Sequence, residues 1–515
     1  VTNADPTPFW ARPTFVVAAI VSYLAIFFVV RMTMWPTLGI DDSEQALFAQ
    51  EFSWSYRNSA PPLFTWLLVG TGKLLGINIV TISVIRYALL GVIYVFAYAT
   101  ARRLIRDPRL SALSVFSFGS IYLFAFYSHH DLTHTTIMAA MLAVSWYAFT
   151  RLAETPSLGW YALLGLVFGF GLLGKWNFVM FAAALPLACV VRRDYRDLVL
   201  TWKIVATLGV CALIVSPTVM AVLFRGTEDI DTLGSVLVGS DAAYLGRAVE
   251  GLGRLIASLF VYPQPLLVLV LVVFALPLWR GLRTVGAQPS ALRRPDAEFL
   301  LLTIGISILL HIALVFAFGA RQFSERLMQP PLFILPIVLF MLIERGRPSP
   351  RAINVCAALL AALVAGTLAA WIVVYRLGAD HCGSCRNMAP FRALADDLRS
   401  AGFSGTGTIV ADGFHTGGNM RVEFPKARVL DPAFPPATWP AARDQGPCLL
   451  LWRLRDAGPS ERENSYLQGY LEERLHASPD APHRNGVVSG LMFGSKTRQY
   501  RMAFQLYDAP AGDCR

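Results

Sequence analysis

Pro13-Thr14-Phe15-Val16-Val17-Ala18-Ala19-Ile20-Val21-Ser22-Tyr23-Leu24-Ala25-Ile26-Phe27-Phe28-Val29-Val30 contains no charged side chain. As a helix rising about 1.5 Å per residue it covers close to the ~30 Å hydrocarbon core of a bilayer. Leu110–Ser128, Ile204–Phe224, Leu255–Trp279 and Ala352–Tyr375 are equally free of charge. A soluble domain carries about 25% charged residues. This chain of 515 residues has 15%, against 55% apolar residues and a mean hydropathy of +0.52. The composition predicts an α-helical polytopic membrane protein. The net charge of +10 does not argue for a nucleic-acid partner, because the basic residues sit mostly in short loops between apolar spans, where they orient membrane helices. Val1–Arg12 lacks the basic region and small-residue cleavage site of a secretory signal, so Pro13–Val30 reads as a retained first helix.

Working outward, the apolar spans fall at roughly 13–33, 80–101, 110–128, 132–150, 157–174, 176–191, 203–224, 255–279, 299–319, 327–343 and 352–376, about eleven helices. A cytoplasmic N-terminus gathers Arg102, Arg103, Arg106 and Arg109 into one inner loop and Arg192, Arg193 and Arg196 into the next. It likewise places Arg280, Arg283, Arg293 and Arg294, then Arg345, Arg347 and Arg351, on the inside. That is the charge asymmetry of an inner-membrane protein, and an odd number of spans puts the tail on the outer side. Tyr262-Pro263-Gln264-Pro265 predicts a kink or unwound turn near the outer end of the eighth span, and Pro330, Pro331 and Pro336 predict a bent tenth one.

Composition changes near residue 377, dividing the chain into a membrane unit over 1–376 and a tail over 377–515. In the tail Pro, Gly and charge rise. Short β-type runs at Thr408–Ala411 and Cys448–Trp452, beside a helical stretch at Phe391–Ser400, predict a small α/β domain. Cys382, Cys385, Cys448 and Cys514 lie there, where an extracytoplasmic compartment permits disulfides; Cys382-Gly-Ser-Cys385 is also compatible with a redox or metal pair. Cys189, Cys211 and Cys356 fall inside membrane spans as packing residues.

The first outer loop, about 33–78, is long for a connector. It reads Gly39-Ile40-Asp41-Asp42-Ser43-Glu44-Gln45, then, after a helix-compatible stretch, Ser59-Ala60-Pro61-Pro62-Leu63-Phe64-Thr65-Trp66-Leu67. Acidic and hydroxyl residues here suit the capped start of a surface helix, and Trp54, Tyr56, Phe64 and Trp66 suit the headgroup layer. Asp131 and His134, three apart at the outer mouth of the fourth span, share one helical face, and His130, four residues before His134, lies on nearly the same face. A divalent metal, a hydrogen-bonded helix start and a sugar-orienting pair are all open readings of that cluster. Outer cations run against the orienting rule. Lys175 ends the fifth span, Arg326 opens the tenth and Arg86 interrupts the second; snorkelling to headgroups is the plainest account of each. His311, alone within a span, reads as a packed histidine.

An acidic pair after the first span, followed about twenty residues later by Pro-Pro-Leu-x-x-Trp-Leu, resembles bacterial relatives of protein O-mannosyltransferases and lipid A aminoarabinose transferases, which share the glycosyltransferase C fold. Asp131-Leu132-Thr133-His134-Thr135, Gly174-Lys175-Trp176-Asn177, Glu325-Arg326-Leu327-Met328-Gln329-Pro330-Pro331-Leu332 and His415-Thr416-Gly417-Gly418-Asn419-Met420-Arg421 are similar to a subgroup containing rhizobial-type lipopolysaccharide galacturonosyltransferases. One departure is that the family's usual Asp-Glu pair is Asp41-Asp42 here.

The resemblance implies a membrane enzyme that moves a sugar, with inversion, from a polyprenyl-phosphate donor to a glycolipid or protein acceptor outside the cytoplasm. Such a displacement needs a carboxylate base on the acceptor hydroxyl and positive charge on the departing phosphate. By resemblance Asp41 is the base, with Asp42 the second choice, and Arg326 and Lys175 hold the phosphate. Glu44, Asp131, His134 and His415 are the expected substrate-binding residues. No cofactor is implied beyond the divalent metal left open above. A secondary transporter or lipid flippase is the competing class, but the halves show no evident repeat and the polar residues gather at one face and not at mid-membrane. A membrane-anchored binding or assembly protein would not need the acidic loop and outer cations together.

Overall fold

The computed structural model describes residues 8–515 except 57–59, 225–243, 285–292, 382–385, 433–439, 442–445, 455–466, 468, 470–481 and 508–515. Helix α1 (Pro13–Met34) extends past the charge-free stretch to include Arg31. Two helices of the loop between the first two spans follow, α2 (Ile40–Phe48) and α3 (Leu63–Leu75). Asn78 caps α4 (Ile79–Leu104), its side chain accepting from the N–H groups of Val80 and Thr81. The next span is broken: α5 (Pro108–Phe116), a 3-10 turn and α6 (Tyr122–Ala125) bend by 71°. Then come α7 (Thr133–Glu154), α8 (Leu158–Gly174), α9 (Val179–Val191) and α10 (Ile204–Leu223). The helices α11 (Tyr244–Val261), α12 (Leu266–Arg283) and α13 (Ala297–Phe318) precede a second broken span. In that span α14 (Gln329–Leu332) and α15 (Leu335–Arg345) bend by 50°, and α16 (Pro350–Leu377) completes the membrane part.

Among the described residues, seven helices are long and apolar enough to cross a bilayer singly: α1, α4, α7, α10, α12, α13 and α16. The two bent pairs and the shorter apolar segments Leu158–Gly174 and Trp176–Val191 match the remaining predicted spans. One span is corrected. The predicted 255–279 helix is interrupted, because α11 stops at Val261 and Tyr262–Pro265 forms a turn before α12. Pro263 and Pro265 lack the N–H groups that a continuous helix would need there. The bend foreseen at Pro330, Pro331 and Pro336 is present.

Charge sorts the two ends of the bundle. At one end Glu154 pairs with Arg103 and Arg294, Asp296 with Arg192 and Glu298 with Arg345, so the arginines of the predicted inner loops tie neighbouring helices together. The other end receives α2, the kinks and the tail. Of the seven single spans α7 is the most buried, and α10 and α16 are the least. Lipid tails offer no hydrophobic contrast, so helices there associate by close packing. Gly165 of α8 illustrates this: an added Cβ would lie 2.4 Å from the Thr207 carbonyl oxygen of α10.

The tail holds a five-stranded sheet ordered β2-β1-β3-β5-β4. Strands β1 (Thr408–Ala411), β2 (Arg428–Leu430) and β3 (Cys448–Arg453) are parallel, while β4 (His483–Leu491) and β5 (Gln499–Tyr507) continue antiparallel. Helices α17 (Phe391–Ser400) and α18 (Phe414–Glu423) pack beside it. The paired glycines Gly417 and Gly418 lie inside α18. Cys448 is disulfide-bonded; Cys382, Cys385 and Cys514 lie outside the described residues. Cys189, Cys211 and Cys356 are free.

Candidate active site

Asp41 and Asp42 occupy the first turn of α2, where negative charge is favoured by the helix dipole. Successive helical residues point about 100° apart, so the neighbours face different surroundings. Asp42 is buried, 1% exposed, and bonded to the Arg86 guanidinium, with Arg31 Nη2 3.8 Å away. Both arginines are themselves 1% exposed or less. Arg31 also donates to the Trp35 carbonyl and, at 3.1 Å, to that of Thr37. Arg86 donates to the carbonyls of Ser128 (3.2 Å) and Asp131. Asp42 is therefore committed to two buried cations; neutralising it would leave both uncompensated. Arg86 does not snorkel. It stands inside the protein as the counter-ion of α2.

Asp41 faces the other way. Its backbone N–H donates to Asp131 Oδ1 at 2.9 Å. Burial raises the pKa of its carboxyl; the Arg326 charge opposes this, Asp42 adds to it, and Lys175 and Arg86 oppose it again. Asp131 is likewise raised, by burial and then by the charges of Asp41 and Asp42. The free face of Asp41 is thus the one that senses Arg326 and Lys175, although these cations are 285 and 134 residues away in sequence. Lys175 sits between α8 and the 3-10 turn Trp176–Phe178, where its Nζ donates to Thr135 Oγ1 at 2.8 Å. Burial, then Arg326, push its pKa down to about 8. Arg326 is exposed, in the 3-10 turn Glu325–Met328 that precedes α14. Asn177 Nδ2 donates to the Leu327 carbonyl at 3.0 Å, tying the Lys175 and Arg326 segments together.

The His130–Asp131–His134 cluster does not share a helical face. Leu132 adopts a left-handed conformation (φ 66°) and α7 begins only at Thr133, so the first two residues belong to the preceding loop. His130 stacks on Trp35, its Nδ1 bonded to the Phe126 carbonyl. His134 Nε2 accepts from the Gln45 amide at 3.1 Å, and Gln45 in turn accepts from the Thr65 hydroxyl. The two rings thus have separate partners, and among the described residues no group of three metal-ligating side chains converges. Glu44 is half-buried on α2, one turn from Asp41. His415 lies in the first turn of α18 with its ring edge-on to Phe391 at 5.4 Å. Burial and the charges of Arg386 and Arg453 push its pKa down to about 4, against a hydrogen bond with the Leu38 backbone, so the ring stands between the tail and the segment leading into α2. His311 is buried and bonded to the Ser307 carbonyl.

Sequence reasoning missed Arg31, Gln45 and Asn419 and set Arg86 aside. The signal for the arginines was present: an ionised side chain within an apolar span needs a partner, and the acidic pair Asp41-Asp42 follows the first span, without showing which of the two it is.

The family described as dolichyl-phosphate-mannose-protein mannosyltransferase matches residues 59–220. The lipopolysaccharide core galacturonosyltransferase RgtB of Rhizobium johnstonii is 26% identical over 96% of this chain and 98% of its own length. The lipopolysaccharide core galacturonosyltransferase RgtA of the same organism is 27% identical over 84% of this chain and 85% of its own. Among solved structures, ArnT from Cupriavidus metallidurans bound to undecaprenyl phosphate superposes with a TM-score of 0.62 at 13% identity, covering 96% of this chain and 98% of that one. This structural likeness concerns the fold, which is the glycosyltransferase C architecture with a small tail sheet. The chain is a multi-pass membrane glycosyltransferase of that fold, similar over nearly its whole length to the rhizobial core galacturonosyltransferases.

Proposed function

We propose that this enzyme transfers a sugar from a polyprenyl phosphate to lipopolysaccharide core or lipid A, on the outer face of a bacterial inner membrane, with inversion at the anomeric carbon. The observation that carries the reading is the division of labour on α2. Asp42 is locked to Arg86, while Asp41 is left on the face that senses Arg326 and Lys175. A base beside two cations is what the reaction needs: Asp41 takes the proton of the acceptor hydroxyl as it attacks, and Arg326 and Lys175 receive the charge that develops on the leaving phosphate. Asp131 holds the backbone of Asp41, and in this reading Asp131, Glu44 and His134 bind sugar hydroxyls. Residues 1–376 form the catalytic membrane unit, and 377–515 form an extracytoplasmic α/β domain that carries His415 on the acceptor side. The two rhizobial relatives are both named galacturonosyltransferases, which makes a galacturonosyl donor the first to test.

Purified protein in liposomes, supplied with polyprenyl-phosphate galacturonic acid and core acceptor, is expected to glycosylate the acceptor and release polyprenyl phosphate. Mass spectrometry of envelope lipids from a deletion strain should show the loss of one sugar. Movement of the labelled carrier lipid across the bilayer with no sugar transferred would favour a flippase.

A further inference from the structure

Apart from His415, the His415–Arg421 segment has no role in the chemistry above, yet it makes the main contact between the tail and the catalytic loop. Helix α18 packs against α2 along its length. Asn419 is the centre of that contact. Its Oδ1 accepts the Leu38 N–H at 3.0 Å, and its Nδ2 donates to Ser43 Oγ at 3.0 Å and to the His415 carbonyl at 2.9 Å. Ser43 Oγ donates in turn to the Gly39 carbonyl at 2.6 Å. The side chain of Asn419 thus binds both ends of the segment Leu38–Ser43 that contains Asp41 and Asp42. Gly418 permits the approach: an added Cβ would lie 2.0 Å from the Ser43 carbonyl oxygen, whereas at Gly417 the nearest atom, in Leu47, is 3.4 Å away.

The far end of α2 is held too. Gln50 Nε2 donates to the Val429 carbonyl at 2.8 Å, and Gln50 Oε1 accepts the Val429 N–H at 2.9 Å, so one side-chain amide satisfies both backbone groups of a residue in β2. Asn419 and Gln50 are 4% and 9% exposed, and these bonds are shielded from water. From the membrane side, α2 is held by Arg86 through Asp42 and by Asp131 through the Asp41 N–H.

We propose that the tail is a clamp on α2, with Asn419 and Gln50 as positioning residues that set where Asp41 stands relative to Arg326 and Lys175. This rests on the assignment of Asp41 as base. A displacement of about 1 Å at a reacting group can cost about 100-fold in rate, and neither positioning residue needs to touch substrate to have that effect.

The test uses the full-length protein and two measurements: transfer kinetics, and hydrogen–deuterium exchange of the peptide covering 38–50. Asn419→Ala and Gly418→Ala are expected to lower kcat by about 10- to 100-fold, with donor KM changed by less than about twofold, and to speed exchange in α2. Gly417→Ala, in the same helix, should leave both measurements at wild-type values. Gln50→Glu keeps the acceptor for Val429 N–H but loses the donor, and should show the same pattern more weakly if Gly418→Ala fails to accumulate. Wild-type kcat and wild-type α2 exchange in Asn419→Ala and Gly418→Ala overturn the clamp, as does a loss confined to donor KM. If the wild-type protein transfers no sugar, the enzyme reading fails, and the exchange comparison alone decides the clamp.

Discussion

The Arg86 guanidinium spans two segments: one nitrogen bonds the Asp42 carboxylate of α2 and the other takes the backbone carbonyl of Asp131. One buried cation from α4 thereby fixes the distance between α2 and the start of α7. It also removes Asp42 from the list of free carboxylates.

Asp41→Asn and Asp42→Asn should therefore fail in different ways. Asn keeps the size of Asp but cannot take a proton, so Asp41→Asn is expected to fold normally and lose about 10²–10⁴-fold in kcat. Asp42→Asn leaves two arginines buried without a counter-charge, a loss of about 3–5 kcal/mol, visible as a lower unfolding temperature in detergent. A stable, inactive Asp42→Asn beside an active Asp41→Asn would move the base to Asp42.

Arg86 gives a complementary test. Arg86→Met leaves Asp42 with Arg31 alone, 3.8 Å away, and should destabilise the protein by less than Asp42→Asn does. Adding Asp42→Leu then leaves Arg31 buried without a counter-charge and should recover neither stability nor activity. Equal stability of wild type and Arg86→Met would show that the pair is dispensable to the fold.

The pH dependence follows from the sign of each shift. Transfer requires ionised Asp41, and burial lifts its pKa above the ordinary carboxylate value of about 3.9. Activity should therefore fall with decreasing pH at a point above that value. The Arg326 charge opposes the lift, so Arg326→Ala should move the acid limb further up while severely weakening donor use. Lys175, pushed down to about 8, loses its charge as pH rises through that value, and donor binding should weaken there. Removing the like charge of Arg326 should shift this alkaline limb upward. Acid limbs that coincide in wild type and Arg326→Ala would separate Arg326 from Asp41.

Orientation can be read by labelling. In a cysteine-free background, Asp396→Cys in α17 should react with an impermeant maleimide in intact spheroplasts, and Arg193→Cys only after lysis. The reverse pattern would invert the topology.

The spans were legible because crossing a bilayer demands long runs without charge, and Pro13–Val30 meets that demand locally. Thr408–Ala411 and Cys448–Trp452 were legible as strands for a similar reason. Strand β5 could have been read as well, since Tyr500, Met502, Phe504 and Leu506 alternate with polar or small residues. The interrupted 255–279 span was half legible: its prolines announced a turn, but apolar residues on both sides hid the helix boundary.

The acidic pair, the outer cations and the His415–Arg421 segment could be found in sequence, because their residue types are out of place in an apolar chain or match a family pattern. Which acid is free could not. Asp41 and Asp42 are adjacent and identical in chemistry, and they differ only because α2 turns one toward Arg86 and the other toward Arg326 and Lys175. The same holds for Asn419, an ordinary polar residue until folding brings it to Leu38, 381 residues away. Sequence determined the membrane fold, since burial of apolar runs is a local property. Tertiary structure decided the roles of the polar residues, since the energy of a buried charge or amide depends on partners that only the folded chain brings within reach.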